Sequence, residues 1–291
     1  MLAGEPSRTA WAAAMHRAAH QVLEDGRVFA DPLAVRIVGT DPEVIATDAR
    51  AHPWRRAMRL FIACRHAFAQ DVVTAEARRG VAQVVILGAG LDTTAYRPKR
   101  ADRPPLVFEV DHPATQTWKQ RQVAATGIVP SAEVVYVPVD FERERFLEAL
   151  EQRGFRSGEP AVFVWLGVVP YLTRDAVEHT LSTIAGLPGG AVVVFDYSEP
   201  RPVGPDADTD AHAATRHRER AEHVARLGEP WITFFSPAEL HDMLSRAGFA
   251  DVEDLGLAGF GPRYLGLPPD TPDRPDGHIV AATAVPAIMI G

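Results

Sequence analysis

Short apolar segments alternate with helical patterns along the chain from about residue 81 onward. Each apolar segment has the length of a β-strand, is rich in β-branched or aromatic side chains, and contains few polar residues. Strands with this pattern are buried on both faces, so the alternation predicts a mainly parallel sheet with helices on both sides. The predicted strands are 84–88, 106–110, 133–137, 161–166, 191–196, 252–257 and 278–285, and the helices among them are 113–127, 142–153 and 173–186.

The first 80 residues show no strand pattern and predict helices instead. The alanine-rich segment 8–23 has Thr9 as a plausible N-cap, Asp31-Pro32 begins a second helix, and residues 53–79 form one long or broken helix. We expect these helices to pack on the sheet as a cap. After the fifth strand, a Pro- and Asp-rich loop at 200–210 precedes an arginine- and histidine-rich helix at 211–227, which we interpret as a lid.

The composition narrows the class of protein. Hydrophobic residues make up 46% of the 291 residues, and the formal net charge is −8. This balance argues against a general nucleic-acid binder, whose affinity depends on many Lys and Arg side chains. The single cysteine, Cys64, excludes an intrachain disulfide. The N-terminus lacks an apolar signal core, and no run approaches about 18 apolar residues, so we expect a cytoplasmic protein without a membrane span.

A glycine-containing segment after the first predicted strand is the strongest signal for a binding site. Gly88, Ala89 and Gly90 follow this strand, and glycines there let the backbone turn sharply and approach a ligand closely. The second strand ends in Glu109 and Asp111, where a carboxylate can accept hydrogen bonds from ribose hydroxyls. Together these features favour a nucleotide site, although a tight turn alone also explains the glycines. The third glycine of the dinucleotide fingerprint is missing, which disfavours a nicotinamide dehydrogenase.

The third predicted strand leads into Asp140 and Phe141. Asp140 is placed to hold an adenine amino group while Phe141 packs on the base. Asp140 fits equally well as the N-cap of the helix predicted at 142–153, and the two interpretations are compatible. Acidic residues after three successive strands predict an adenosine-shaped site without phosphate contacts.

Four short motifs allow the chain to be compared with a known family. They are LGAGLDTTAYR, FEVDHPATQTWKQ, VDF and WLGVVPYLT, at residues 87–97, 108–120, 139–141 and 165–173. Together they resemble the leucine carboxyl methyltransferase family, and more closely its bacterial S-adenosylmethionine-dependent branch, which includes polyketide O-methyltransferases. The resemblance extends over about residues 8–284.

The resemblance implies a Rossmann-like class I methyltransferase fold of the α/β class. This fold has a seven-stranded, mostly parallel sheet with an antiparallel last strand, here preceded by the N-terminal helical cap. The chain is then a single domain over residues 1–291. Its parts are the cap at 1–80, a cofactor-binding half at 81–199, the lid at 200–232 and a C-terminal half at 233–291.

The resemblance also implies which residues bind the cofactor S-adenosylmethionine. From the methionyl end to the adenine they are Arg65, Leu166, Gly167, Gly88, Ala89, Gly90, Glu109, Asp111, His112, Asp140 and Phe141. The glycines would pass beneath the methionyl group. The residues at the end of the second strand would hold the ribose, and those after the third strand would hold the adenine.

We expect three residues at the reacting end of the site: Arg65, Tyr171 and His66. Arg65 matches a family arginine that pairs with a carboxylate of the cofactor or substrate, with a surface salt bridge as the alternative. Tyr171 matches a tyrosine at the substrate mouth, although a half-buried core tyrosine is equally consistent with the sequence. His66 and His112 are the best candidates for a general base, and His112 fits better as a helix cap or near the ribose.

Asp92 and Arg97 are predicted to brace the glycine segment by contacting each other.

The chain departs from the family pattern at two positions. Leu166 stands where the family usually has Glu, and Thr94 stands where the bacterial branch usually has Arg. That glutamate would contact the methionyl ammonium, a charge-assisted hydrogen bond worth roughly 1.5–3 kcal/mol, or about ten- to a hundredfold in affinity. Backbone carbonyls near Gly88 or Leu166 are the expected partial replacement.

These features predict an O-methyltransferase of secondary metabolism that acts on a carboxylate or acidic hydroxyl of a small molecule. An ionised carboxylate needs no general base, and the sequence offers no clear one. No metal is expected, since the histidines lack metal-ligand spacing. The expected partners are the small-molecule acceptor and, in a homodimer, a second copy; neither nucleic acid nor membrane is expected. The alternative is a methyltransferase-like protein with weakened cofactor binding that acts as a binding module or a methyl-independent enzyme.

Overall fold

The computed structural model describes residues 7–97, 105–141, 144–200, 231–274 and 276–285. The predicted lid helix at 211–227 lies outside these residues. The strands are β1 (Gln83–Leu87), β2 (Leu106–Asp111), β3 (Val134–Pro138), β4 (Ala161–Trp165), β5 (Ala191–Ser198), β6 (Asp251–Leu255) and β7 (Gly277–Ala284).

These strands form one seven-stranded sheet in the order β3-β2-β1-β4-β5-β7-β6. The pairs among β1 to β5 are parallel, whereas β7 is antiparallel to both β5 and β6. The mostly parallel sheet and its antiparallel last strand confirm the predicted fold. Because the strand order reverses between the adjacent strands β1 and β4, the loops after them diverge and leave a crevice at their carboxyl ends.

Helices pack on both faces of this sheet. Those of the N-terminal part are α1 (Arg8–Leu23), α2 (Pro32–Val38), α3 (Pro42–Ala51) and α4 (Arg56–Arg78). Those that follow are α5 (Pro113–Ala125), α6 (Phe146–Gln152), α7 (Arg174–Ala185), α8 (Pro237–Ala247) and α9 (Leu257–Phe260). Two predicted N-caps were wrong: that of α1 is Ser7 rather than Thr9, and that of α6 is Arg145 rather than Asp140, because α6 begins at Phe146.

Alternation of side chains along the strands divides the interior into two apolar clusters. One cluster joins Phe163 of β4 to residues of α6, α7 and α8. The other joins Val162 and Val164 of β4 and Val194 of β5 to α1, α2 and α4, and we call this side the cap face. The N-terminal helices therefore cover one face of the sheet, as predicted. Among the described residues, no helix is both long and apolar enough to cross a membrane.

Candidate cofactor-binding site

The glycine turn, Gly88 to Gly90, lies directly after β1 and is tightly enclosed. Gly88 and Gly90 have φ angles of 65° and 48°, in the left-handed region that glycine adopts without strain. A Cβ atom on Gly88 would lie 2.6 Å from Cγ2 of Val168, and one on Gly90 would lie 2.9 Å from Cβ of Ala10. The turn thus requires glycine both for its backbone conformation and for its contacts with α1 and the segment after β4.

Asp111 connects the end of β2 to the glycine turn. Its Oδ2 accepts a hydrogen bond from the N–H of Gly90, and its Oδ1 accepts one from the N–H of His112 at 2.6 Å. Burial raises the pKa of Asp111, although these two hydrogen bonds oppose the shift. A carboxylate has about four lone-pair sites, so acceptor capacity remains for ribose hydroxyls. The ribose role of Asp111 stays a prediction, and this geometry is compatible with it.

Glu109 lies deeper, in a buried ion pair. Its side chain is fully enclosed, and its Oε2 accepts a hydrogen bond from Nζ of Lys119 at 2.6 Å. Burial raises the pKa of Glu109 to about 7, against the lowering effect of Lys119. Its Oε1 has no hydrogen-bond partner among the described residues. The structure therefore pairs Glu109 with a lysine that sequence reasoning overlooked, and gives no support to a direct ribose contact.

His112 caps the helix that follows β2. Its Nδ1 accepts a hydrogen bond from the N–H of Ala114 at 3.2 Å, and it is the N-cap residue of α5. This confirms the capping interpretation. The backbone N–H of His112 also donates to Oδ1 of Asp111, so a place for His112 near the ribose stays a prediction.

Asp140 and Phe141 lie just after β3, beside the end of β2. The N–H of Val139 donates to the carbonyl oxygen of Asp111 at 2.9 Å, which joins the two strand ends. Because α6 starts at Phe146, the interpretation of Asp140 as its N-cap was wrong. The Phe141 side chain is 45% exposed, and so presents an aromatic surface on which a base can stack. The adenine role of both residues stays a prediction.

Arg65 reaches from α4 to the loop after β4. Only 7% of the residue is exposed, its Nη1 donates to Oδ2 of Asp196 at 2.8 Å, and its Nε has no partner among the described residues. The salt bridge of the alternative interpretation is therefore present, but it is buried and does not lie at the surface. The pairing of Arg65 with a carboxylate of the cofactor or substrate stays a prediction. Asp196 also accepts the N–H of Gly167 at 2.6 Å through Oδ1. A buried donor without a partner is costly unless a ligand satisfies it.

Leu166 and Tyr171 belong to the segment after β4. Leu166 is half-buried and packs against the apolar cluster of the cap face. Tyr171 ends a short 3-10 turn, Val169–Tyr171, and is half-buried. This position of Tyr171 is compatible with both predicted roles, at the substrate mouth and in core packing, and both stay predictions.

His66 lies in a buried polar network whose centre, Arg17, the sequence analysis missed. Arg17 donates to Oδ2 of Asp31 at 3.0 Å and to the carbonyl oxygen of Leu91 at 2.5 Å. Its Nη1 lies 3.3 Å from Nε2 of His66, and Nδ1 of His66 lies 2.7 Å from the carbonyl oxygen of Ile62. Burial and the charge of Arg17 hold the pKa of His66 well below its usual range. His66 is thus neutral, and both ring nitrogens are already engaged.

The loop after the glycine turn is braced through Thr94. Asp92 accepts the N–H of Thr94 at 2.6 Å, and Arg97 donates to Oγ1 of Thr94 at 3.2 Å. The guanidinium of Arg97 also lies over the Phe29 ring, 4.3 Å from its centroid. Burial raises the pKa of Asp92, but the charges of Arg17, Lys119 and Arg97 outweigh it and lower the pKa to about 2. Asp92 and Arg97 therefore brace the loop as predicted, but they do so through Thr94, to which each is hydrogen-bonded.

The residues at this sheet edge fit a nucleoside that carries an amino acid. The buried Nε of Arg65 has no partner in the part of the chain that the structure describes, Asp111 keeps acceptor capacity, and Phe141 offers an exposed ring. By contrast, no cluster of three or more metal-ligating side chains occurs within the described part of the chain.

Comparison with known proteins agrees with this geometry. The family model for leucine carboxyl methyltransferase matches residues 10–185. YktD of Bacillus subtilis, named as a candidate S-adenosyl-L-methionine-dependent methyltransferase, is 32% identical over a match that covers 66% of this chain and 61% of its own length. A Mycobacterium avium protein with the same description is 32% identical over 85% of this chain and 90% of its own length.

Solved structures show the same fold at low sequence identity. A DUF574 family protein from Streptomyces avermitilis has a TM-score of 0.56 at 14% identity, covering 96% of this chain and 98% of its own. A candidate methyltransferase from Thermobifida fusca has a TM-score of 0.53 at 16% identity, covering 97% and 96%. On the family match and these relatives, the chain belongs to the leucine carboxyl methyltransferase family and is an S-adenosylmethionine-dependent methyltransferase.

Proposed function

We propose that this enzyme transfers a methyl group to an oxygen that is already ionised, the carboxylate or acidic hydroxyl of a small molecule. The observation that carries the proposal is the engagement of both candidate bases. Nε2 of His66 faces Arg17, and Nδ1 of His112 accepts the backbone N–H of Ala114. A neutral alcohol requires a base to remove its proton, whereas a carboxylate at neutral pH does not.

The role of the protein is then binding, alignment and exclusion of water. S-Adenosylmethionine supplies an electrophilic methyl group when bound, so alignment for in-line displacement supplies much of the rate enhancement. The start of α1 closes over the glycine turn, where Ala10 packs against Gly90, and the N–H of Ser7 donates to Oγ1 of Thr115 at 3.3 Å. This cover restricts solvent access to one side of the turn.

The resemblance to the branch that includes polyketide O-methyltransferases supports secondary metabolism as the setting. A carboxylate or an acidic phenol is the acceptor class that the engaged histidines favour. The two classes differ in their products, because a methyl ester is cleaved by mild alkali and a methyl ether is not.

The test is transfer of radiolabelled methyl groups to a panel of aliphatic and aromatic carboxylic acids, acidic phenols and neutral alcohols. We expect label in acids or acidic phenols only, with a rate that is flat above the acceptor's own pKa. Efficient methylation of a neutral alcohol, with a rate that follows an enzyme group titrating near pH 7, would contradict the proposal. The His66→Gln variant provides a matched control and should retain methyl transfer.

A further inference from the structure

We propose that Asp196, on β5, binds the α-ammonium group of the cofactor's methionyl moiety. It takes the place of the glutamate that the family usually carries at the position of Leu166. The inference rests on the assigned dependence on S-adenosylmethionine and adds a specificity-determining residue that the sequence comparison did not indicate.

The strand register places Asp196 beside Leu166. Trp165, the last residue of β4, pairs with Phe195 of the parallel strand β5. Leu166, just after β4, is therefore a neighbour of Asp196, and the next N–H along, that of Gly167, donates to Asp196. Adjacent strands are about 4.8 Å apart. A carboxylate from β5 therefore reaches nearly the same space as a glutamate on the loop after β4.

Both side chains also point to the same face of the sheet. Val164 and Val194, two residues earlier on each strand, belong to the cluster on the cap face. Side chains at i and i+2 along a strand share a face, and Leu166 itself packs against this cluster. Asp196 follows the same alternation, and its ion pair with Arg65 of α4 agrees with this direction.

The surroundings of Asp196 hold its carboxylate in one orientation and leave part of its hydrogen-bond acceptor capacity unused. Asp196 is 3% exposed, its Oδ2 accepts from Arg65 and its Oδ1 accepts from the N–H of Gly167. Two hydrogen bonds leave about two of its four lone-pair sites available for an ammonium group. Gly167 has a φ angle of 71°, which favours glycine, and a Cβ atom there would lie 2.7 Å from Nη2 of Arg65 and displace the guanidinium.

Arg65 and Asp196 together complement a zwitterion. The Nε of Arg65 is buried without a hydrogen-bond partner among the described residues, and it suits the carboxylate of an amino acid. The neighbouring Asp196 suits the ammonium group of the same amino acid. A pair of opposite charges that only stabilised the fold would not explain the unpaired Nε.

The experiment compares two ligands by isothermal titration calorimetry. One is S-adenosylhomocysteine, and the other is its des-amino analogue, in which hydrogen replaces the α-amino group. Wild-type protein should bind S-adenosylhomocysteine about tenfold or more tightly than the analogue, as for one charge-assisted hydrogen bond. Equal affinities would overturn the inference without any variant. Binding of neither ligand would overturn the cofactor assignment and the inference with it.

The variant Asp196→Asn separates direct contact from positioning. We expect it to lose about tenfold or more in affinity for S-adenosylhomocysteine while its affinity for the des-amino analogue stays within about twofold. Equal losses for both ligands would show that Asp196 only positions Arg65, and would overturn the inference. Asp254→Asn is the matched control, because Asp254 is a buried carboxylate on β6, bound to Tyr197 and His278. It should change neither affinity.

A second variant keeps the test informative if Asp196→Asn lowers stability. Leu166→Glu combined with Asp196→Asn restores the carboxylate from the loop after β4. The double variant should recover the preference for the ligand that carries the amino group. Leu166→Glu alone should raise that preference only about twofold, since Asp196 already supplies the charge. A large increase for Leu166→Glu alone would indicate that the ammonium group has no carboxylate in the wild type and would overturn the inference.

Discussion

Replacement of Asp111 by Asn tests the ribose assignment. In the wild type, two backbone N–H groups bind the two oxygens of Asp111. Asn has one carbonyl oxygen, so one N–H group, of Gly90 or His112, must face its amide nitrogen instead. In the ligand-free protein, removal of the charge offsets the loss of this hydrogen bond. Burial raises the pKa of Asp111, which means that the folded chain disfavours the charge there. We therefore expect the unfolding free energy of the ligand-free variant to change by no more than about 1–2 kcal/mol.

The effect on ligand binding should be much larger. Loss of the charge-assisted hydrogen bonds to the ribose should lower the affinity for S-adenosylhomocysteine by about ten- to a hundredfold. At a ligand concentration of 100 times the wild-type dissociation constant, binding stabilises the wild type by about 2.7 kcal/mol. The same concentration stabilises a variant with hundredfold weaker binding by only about 0.4 kcal/mol. At roughly 2–4 °C per kcal/mol for larger domains, the rise in melting temperature falls from about 5–11 °C to about 1–2 °C.

The assay is scanning calorimetry of both proteins with S-adenosylhomocysteine and with its 2′-deoxy analogue. The wild type should be stabilised less by the deoxy analogue than by the parent ligand. Asp111→Asn should respond weakly and equally to the two ligands. A variant that keeps the full wild-type rise, or that still distinguishes the two ligands, would show that the ribose lies elsewhere.

Three further predictions follow from the site and the cap. Arg65→Lys should bind S-adenosylhomocysteine more weakly than the wild type in calorimetry, because Lys keeps the charge but lacks the planar guanidinium fork. Wild-type affinity in this variant would contradict the carboxylate role of Arg65. Gly88→Ala should lower the melting temperature more than Gly127→Ala. Both glycines have a φ near 65°, but of the two only Gly88 has a described side chain within 4 Å of where a Cβ would lie; equal losses would exclude a packing role. Burial opposes ionisation of Glu24, but hydrogen bonds from His20 and Arg59 lower its pKa from 4.5 to about 2. The ionised Glu24 therefore stabilises the folded chain fully above about pH 4.5, and this stabilisation is lost as the pH falls towards 2. Calorimetry should show a flatter acid limb for Glu24→Gln, and an unchanged limb would refute this.

Local sequence patterns were sufficient for the sheet and its edge. Each buried strand is a nearly continuous apolar run, so β1 and β4 were identified within a residue or two. The glycine turn and Asp111 are local signals at the ends of β1 and β2. They lie close together because parallel strands end at the same side of the sheet. Local patterns did not distinguish between candidate N-caps, because Ser7 and Thr9 are both good caps and the structure uses Ser7.

Contacts between distant residues could not be predicted. Arg17 binds Asp31, His66 and Leu91, which lie 14, 49 and 74 residues away along the chain. Periodicity assigns a side chain to a face but says nothing of its partner. For the same reason the sequence could not show that Arg65 meets Asp196, 131 residues away.

The most direct test of the central claim is isothermal titration of the purified chain with S-adenosylhomocysteine, with NAD titrated in parallel. We expect saturable binding of one S-adenosylhomocysteine per chain and no heat of binding from NAD. Binding of NAD, or no binding of S-adenosylhomocysteine by a folded chain, would contradict the assignment of this site to S-adenosylmethionine.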